Sequence, residues 1–413
     1  MEPHELLYLI LGVVVFDYAI DQLLSLLNMR RFDRPIPENL SGIYSKQEYR
    51  KSQQYQKERA KFSLTTSAFS TLLSLLILGF GGFGILDEFL RNYLEDPIWL
   101  GLSFFAVVFI ASELVNMPFS YYSTFVIEQD YGFNKTSRST FILDKLKGYL
   151  LALLIGLPLG YALLWLVIEL GAQFWIYALM LVTAFILFMN VFYTSLIMPL
   201  FNKLRPLEDG ELRSAIQAYT DKVGFPLTNV FVIDGSKRST KANAFFSGLG
   251  KKKKIVLYDT LIENHSKEEL VAVLAHEVGH YKRKHISQGL VVSIFQMAFT
   301  FYIMSLMLFS EPISLALGAE QLGVHLNFIA FGILYTPISR TTGLLMNMLS
   351  RRNEFQADEF AVKTYDGQHL ISALKGLSKS ALSNLTPHPW YVFVNYSHPA
   401  LSKRIAAMQA WIK

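Results

Sequence analysis

Seven apolar stretches, each long enough to cross a bilayer, decide what this chain of 413 residues can fold into. A span needs about 20 mainly apolar residues, and the stretches that qualify are residues 5–27, 63–86, 98–118, 148–170, 174–197, 287–309 and 326–348. They cover 161 residues yet hold only six of the 71 charged side chains, namely Glu5, Asp17, Asp21, Glu113, Glu169 and Arg340. The other 252 positions carry 65, or about 26%, the ordinary share of a soluble domain. A charged fraction of 17% and a mean hydropathy of +0.31 are thus the average of an apolar frame and an ordinary aqueous remainder. This excludes a disordered or plain cytosolic chain; the expectation is an all-α multi-pass membrane protein. Residues 5–27 have no basic n-region and no small-residue cleavage site, and they carry Asp17 and Asp21, so a retained helix is expected rather than a signal peptide.

Lys and Arg alternate between the spans: nine in the first loop, one in the second, four in the third and none in the fourth. Residues 198–286 are rich in both, 310–325 have neither, and the tail is rich again. The positive-inside rule then puts the N-terminus outside and loops one, three and five plus the tail in the cytosol. Charges within spans are costly and face a bundle interior. Asp17 and Asp21, one turn apart, are expected with Glu113 and Arg340 either to line a polar interior or to pair between packed helices. The expected organisation is residues 1–197 with five spans, a cytosolic insert at 198–286, two spans at 287–348 and a cytosolic helical part at 349–413.

The insert has the pattern of a small α+β unit. Leu212, Ile216, Tyr219 and Val223 recur at helical spacing, and the β-like runs Val230–Ile233 and Ile255–Tyr258 follow, with Ala242-Asn-Ala-Phe-Phe between them. Lys251–Lys254 is expected as a solvated hairpin turn; without an aromatic-basic surface around it no nucleic-acid partner is assigned.

There are no cysteines, which excludes disulfides, thiolate metal sites and thiol nucleophiles and leaves His, Asp and Glu to hold any metal. Ser266-Lys-Glu-Glu269 fits a capping box that starts a helix near Lys267. On it stands His276-Glu277-Val-Gly-His280, an H-E-x-x-H sequence. At about 100° per residue the two imidazoles lie only about 40° apart around the axis, so both reach one Zn²⁺ with Glu277 beside them. A third ligand is sought in Glu354-Phe-Gln-Ala-Asp358. These carboxylates are one turn apart, so that one binds metal while the other accepts the N–H of a ligating His. The same residues also suit an acidic surface cluster paired with Arg351 and Arg352. His285, about 140° around the helix from His280, reads as a poor ligand at the interface. His398 and Arg404 suit donors to an oxyanion or a substrate carboxylate, and equally a cap on the last helix.

The zinc motif together with Ile197-Met-Pro-Leu-Phe-Asn-Lys, Val230-Phe-Val-Ile-Asp-Gly-Ser-Lys-Arg-Ser, Ala242-Asn-Ala-Phe-Phe-Ser-Gly, Glu354-Phe-Gln-Ala-Asp358 and His398-Pro-Ala resembles the type I CAAX prenyl endopeptidases, seven-span zinc metalloproteases of the gluzincin kind. The resemblance implies seven helices around a water-filled chamber with a cytosolic α+β protease portion. It implies one Zn²⁺ per chain on His276, His280 and Glu354, Glu277 as general base and Asp358 orienting a ligating His. Asn243, Ala244 and Phe245 would match the substrate strand, and His398 and Arg404 the substrate and oxyanion contacts. The implied reaction removes the last three residues of a prenylated C-a-a-X protein, at the endoplasmic reticulum membrane in a eukaryote or the cytoplasmic membrane in a bacterium. The tail, Ala-Trp-Ile-Lys413, has no dilysine retrieval signal. Two other readings are a membrane quality-control zinc protease without a prenyl requirement, and a seven-span receptor or transporter whose His-Glu pattern is accidental. Seven spans argue against the first, and two independent His/acidic motifs against the second.

Overall fold

Long apolar helices dominate the chain, and in the computed structural model, which describes residues 1–247 and 253–412, they are grouped apart from a smaller polar α+β body. Among the described residues, five helical stretches are long and apolar enough to cross a membrane: Pro3–Met29, Lys46–Gly79, Pro97–Asp130, Arg138–Phe201 and His285–Met307. Their outward side chains are the wrong ones for water, with Leu114 69% and Phe295 72% exposed.

We label the helices α1 (Pro3–Met29), α2 (Lys46–Gly79), α3 (Gly82–Arg91), α4 (Pro97–Tyr122), α5 (Arg138–Leu151), α6 (Leu157–Leu170) and α7 (Phe174–Phe192). Two of the expected spans, 148–170 and 174–197, lie in the one stretch Arg138–Phe201. It breaks at Gly171, where φ is 53°, a backbone state that glycine reaches without penalty. Across the break α6 packs on α7 through Leu166, Val167, Phe174 and Ala178.

The aqueous body follows with β1 (Leu204–Pro206), α8 (Glu211–Lys222), β2 (Leu227–Ile233), β3 (Ala244–Ser247), β4 (Lys253–Tyr258) and α9 (Lys267–Lys282). The sheet order is β1-β2-β4-β3, parallel only between β2 and β4, which leaves β3 at an edge. Lys251 and Lys252 of the expected hairpin turn lie outside the described residues. Lys254 belongs to β4 instead, its ammonium 5.4 Å above the Phe231 ring.

The chain then returns to lipid-type composition in α10 (His285–Met307) and α11 (Val324–Leu334), and leaves it along α12 (Thr336–Thr364). The apolar run 326–348 is therefore not one helix. It divides at Tyr335, because Pro337 has no N–H to bond the carbonyl four residues back and, near the first position of a helix, starts a new one well. Three further helices close the body: α13 (Gly367–Ser380), α14 (Pro389–Asn395) and α15 (Leu401–Ile412).

The polar body is built around α9. Leu270, Leu274 and Val278 on one side of it join Ile216, Val230, Leu257, Leu370, Ile405 and Met408 in one buried cluster, each aliphatic side chain contributing about 1.5–3 kcal/mol by its burial. Against α12 the fit is tighter. A Cβ built on Gly279 would stand 3.0 Å from both Cα and O of Ala357, so glycine is the residue that lets the two helix backbones meet.

Four of the six charges within the apolar frame, Asp17, Asp21, Glu113 and Arg340, are paired. Arg340 on α12 bonds Asp17 on α1 through Nε and reaches Asp21 at 2.8 Å. Glu113 accepts from Lys145 and from the Tyr149 hydroxyl, both at 2.8 Å.

Candidate metal centre

The capping box expected at Ser266 is formed. Its hydroxyl accepts from the Glu269 amide at 3.2 Å, and the Glu269 carboxylate accepts from the Ser266 amide at 3.1 Å. With α9 started there, His276 and His280 emerge on the face that Gly279 presses against α12. Their Nε2 atoms stand 3.2 Å apart, and Glu354 arrives from α12 with its carboxylate oxygens 3.6 Å from His276 Nε2 and 3.2 Å from His280 Nε2. Ligand-type atoms of all three residues lie within 4.8 Å of one another.

Two features suit this trio to a cation. Asp358, fully buried, takes a bidentate pair of bonds from Arg404 at 2.8 and 2.6 Å and lies 2.9 Å from His276 Nδ1. An ionised Asp358 accepts the Nδ1 proton, which leaves the Nε2 lone pair of His276 directed at the centre. Glu354 Oε2, meanwhile, is buried and has no hydrogen-bond partner among the described residues; the Arg404 guanidinium at 3.3 Å balances its charge without a hydrogen bond, which leaves the oxygen able to accept a metal. Two imidazoles and a carboxylate are a donor set suited to zinc.

The electrostatics keep both carboxylates charged. Burial is the largest influence on Glu354 and pushes it up, but His280, His276, Arg404 and His398 together outweigh it and hold the group down to about 2. Asp358 behaves likewise: burial raises it, and the bonds from Arg404 and His276 bring it down to about 2.

Glu277 is half-buried and lines two cavities that meet at the cluster. One, of about 450 Å³, runs from His280, Glu354 and His398 toward the apolar helices at Ile286, Gly289 and Met346. The other, of about 250 Å³, runs from His276, Glu354 and His398 to Ala242, Asn243 and Ala244 beside the edge strand β3. His398 stands over the cluster, largely exposed, with Nε2 3.4 Å from Glu354 Oε1.

Arg404 lines the second cavity but faces the wrong way for a simple substrate donor. It is buried, its Nε and Nη2 are held by Asp358, and Nη1 lies 3.3 Å from Glu354 Oε2. His285 departs furthest from its expected place. The angle of about 140° holds only on an unbroken helix, and here α9 ends at Lys282 while Lys284, at φ 58°, turns the chain into α10. The turn brings His285 back, 6% exposed, with Nδ1 3.1 Å from His280 Nδ1 and Nε2 2.9 Å from Gln356 Oε1. The sequence carries no clear signal of this turn, because Lys and Arg continue a helix readily.

An imidazole–imidazole–carboxylate centre on two packed helices, with a glutamate in the same cavity and long apolar helices beside it, defines a membrane metallopeptidase. Comparison with known families agrees over nearly the whole length. Residues 25–203 match the model described as CAAX prenyl protease N-terminal, five membrane helices, and residues 206–412 match peptidase family M48. The chain belongs to the M48 peptidase family. It is 35% identical over 409 residues to the CAAX prenyl protease 1 homolog of Oryza sativa subsp. japonica, covering 97% of this chain and 96% of that one. It is 34% identical to the CAAX prenyl protease 1 of Saccharomyces cerevisiae, with 90% and 88% covered. The crystal structure of S. mikatae Ste24p superposes with a TM-score of 0.93 at 30% identity, covering 98% of this chain and 99% of that one. The receptor or transporter reading falls with this membership, because residues 206–412 match a peptidase family.

Proposed function

We propose that this chain is a zinc endopeptidase that removes the C-terminal tripeptide of prenylated C-a-a-X proteins at a membrane, its active site on the cytosolic side. The observation that carries the reading is the meeting of two cavities at one candidate metal centre, one directed to the apolar helices and one to a free sheet edge. A lipid-modified peptide needs both. The isoprenoid takes the cavity bounded by Ile286, Gly289 and Met346, and the peptide adds to β3 along Asn243, Ala244 and Phe245, its main chain satisfying the edge. The names of the relatives point to the same substrate class.

His276, His280 and Glu354 are the proposed metal ligands, and Asp358 fixes the tautomer of His276. Bound there, zinc supplies Lewis acidity, lowering the pKa of a water to about 7 and polarising a carbonyl. Glu277 takes the water's proton and returns it to the leaving amine. His398, exposed at the rim, donates to the oxyanion that develops on the scissile carbonyl. Arg404 is assigned a positioning role: by neutralising Asp358 and Glu354 it keeps both carboxylates in place. A crossing count of seven adds to the five long apolar stretches the hairpin at Gly171 and the α11–α12 segment. The alternating Lys and Arg content then puts the peptidase body in the cytosol, at the endoplasmic reticulum membrane in a eukaryotic cell or the inner membrane in a bacterial one.

The test uses purified, zinc-loaded protein in detergent and one C-a-a-X peptide with and without its farnesyl group. Cleavage of the farnesylated form alone, with Glu277→Gln keeping about one zinc per chain and losing about 10²–10⁴-fold in rate, is the expected result. Equal cleavage of both peptides would favour a quality-control protease without prenyl selectivity. A zinc-loaded enzyme that cuts neither would overturn the proposal.

A further inference from the structure

We propose that His285 and Gln356 are positioning residues that set the tautomer of His280, so that this imidazole presents its Nε2 lone pair to the metal. The inference rests on His280 being a ligand and extends the site behind it. His276 has its Nδ1 proton held by Asp358. His280 has no carboxylate at the corresponding place; its Nδ1 faces His285 Nδ1 at 3.1 Å, and His285 Nε2 faces Gln356 Oε1 at 2.9 Å.

Only one arrangement of protons suits these contacts and ligation together. The Gln356 carbonyl oxygen is an acceptor, so His285 carries its proton on Nε2 and donates it there. A neutral His285 then has an acceptor at Nδ1, to which His280 Nδ1–H donates, and His280 Nε2 is left bare. The opposite amide orientation of Gln356 would reverse every step. Its NH₂ would donate to His285 Nε2, His285 Nδ1–H would donate to His280 Nδ1, and the His280 proton would sit on Nε2, where a ligand must have a lone pair.

The fold shows why these three groups meet. The left-handed Lys284, a conformation unfavourable for a residue with a side chain, ends α9 and folds His285 back under His280. Gln356 stands two residues from Glu354 on α12, so the helix that delivers the carboxylate ligand also anchors the relay. His285 is buried and forms part of the wall of the cavity of about 450 Å³ beside His280.

The test measures zinc affinity of the metal-stripped full-length protein by competition with a chromophoric chelator, and the visible absorption of its cobalt(II) form. His285→Ala is expected to weaken zinc binding about 10–100-fold, the range for loss of a partner behind a ligand, and to shift the cobalt bands. His285→Asn, whose Oδ1 replaces the Nδ1 acceptor, should restore both, and Gln356→Ala should show a smaller loss in the same direction. Wild-type affinity and bands in His285→Ala would overturn the proposal. So would equal losses in the Ala and Asn variants with a matching fall in the melting temperature of the metal-free protein, because a packing role alone predicts that pattern. Should His285→Ala not fold, unchanged cobalt bands in Gln356→Ala would overturn it as well. A His280→Ala control separates the two readings: if that variant binds zinc as the wild type does, the assignment of His280 as a ligand fails, not the relay alone.

Discussion

Helix α12 carries two polar clusters about 21 Å apart along its axis at 1.5 Å per residue, and they are built on opposite principles. At Arg340 every charged group has a partner: the one guanidinium takes both Asp17 and Asp21 of α1. At Glu354 the cluster stays open. Two imidazole nitrogens and a carboxylate oxygen lie within 4.8 Å of one another, and Glu354 Oε2 has no hydrogen-bond partner among the described residues. A closed cluster orders helices against each other, whereas an open one asks for a cation. Polarity inside a membrane protein is therefore not itself a sign of function; the balance of donors and acceptors is.

The sharpest way to break this contrast is to cross the two kinds of variant. Glu354→Gln keeps the size of the side chain but removes the charge that faces four cationic or ligating groups, His276, His280, His398 and Arg404. It should reduce zinc affinity by more than about 100-fold, beyond the range for loss of a mere supporting partner, and abolish cleavage, as read by metal analysis and peptide assay. Arg340→Gln should leave about one zinc per chain. If the Arg340 variant lost its metal while Glu354→Gln retained it, the assignment of open and closed clusters would be reversed.

Next in size is the contact that brings the open cluster together. Gly279→Val adds atoms where Ala357 Cα and O already stand 3.0 Å from a Cβ position and Phe360 Cβ 3.2 Å, and overpacking of this kind costs about 1–3 kcal/mol. Because α9 and α12 carry different ligands, zinc affinity should fall together with melting temperature. A variant that lost stability but bound zinc as tightly as the wild type would show that the two helices need not touch for the ligands to converge.

The closed cluster has its own signature. Arg340→Leu leaves Asp17 and Asp21 without a partner. These groups are partly accessible, which places the destabilisation between that of an exposed and of a buried pair, about 1–3 kcal/mol. Adding Asp17→Asn and Asp21→Asn should recover much of it, measured as thermal unfolding in detergent. No recovery would mean that Arg340 acts through packing of its stem.

What the sequence disclosed follows the range of the interactions. His276, Glu277 and His280 were legible because one helix sets their spacing, and Ser266 and Glu269 because a capping box lies within four residues. Glu354 and Asp358 were recognisable as a pair, but which of them faces the metal depends on Arg404, which takes Asp358 by both oxygens. His285 stays outside the candidate metal group, but its nearness to His280 was hidden because the left-handed backbone of Lys284 resets the helical angle. Residues 326–348 read as one span because hydropathy passes through Pro337 unchanged while the backbone does not. The three-residue β1 carries no periodicity at all; its pairing with β2 is a tertiary event.

The smallest expected effect lies at the start of α9, where a third polar cluster, again closed, governs the helix that bears the open one. Glu269 accepts from the Ser266 amide and from Ser372, and pairs with His265 at 3.0 Å. Burial pushes its carboxyl up, but Ser372, Ser266 and His265 outweigh that and hold it below its ordinary value. A group depressed in the folded state stabilises fully above its unfolded pKa of about 4.3, and the contribution is lost as pH falls through the lower folded value. Melting temperature should therefore fall below about pH 4, and the fall should be shallower in Glu269→Gln, which has no charge to lose. Ser266→Ala should lower stability by about 1 kcal/mol at neutral pH while zinc affinity stays near that of the wild type, since His276 lies more than two turns further along. A large loss of zinc in that variant would mean that fraying at the cap reaches the ligands, and the closed and open clusters would then be parts of one cooperative unit rather than neighbours.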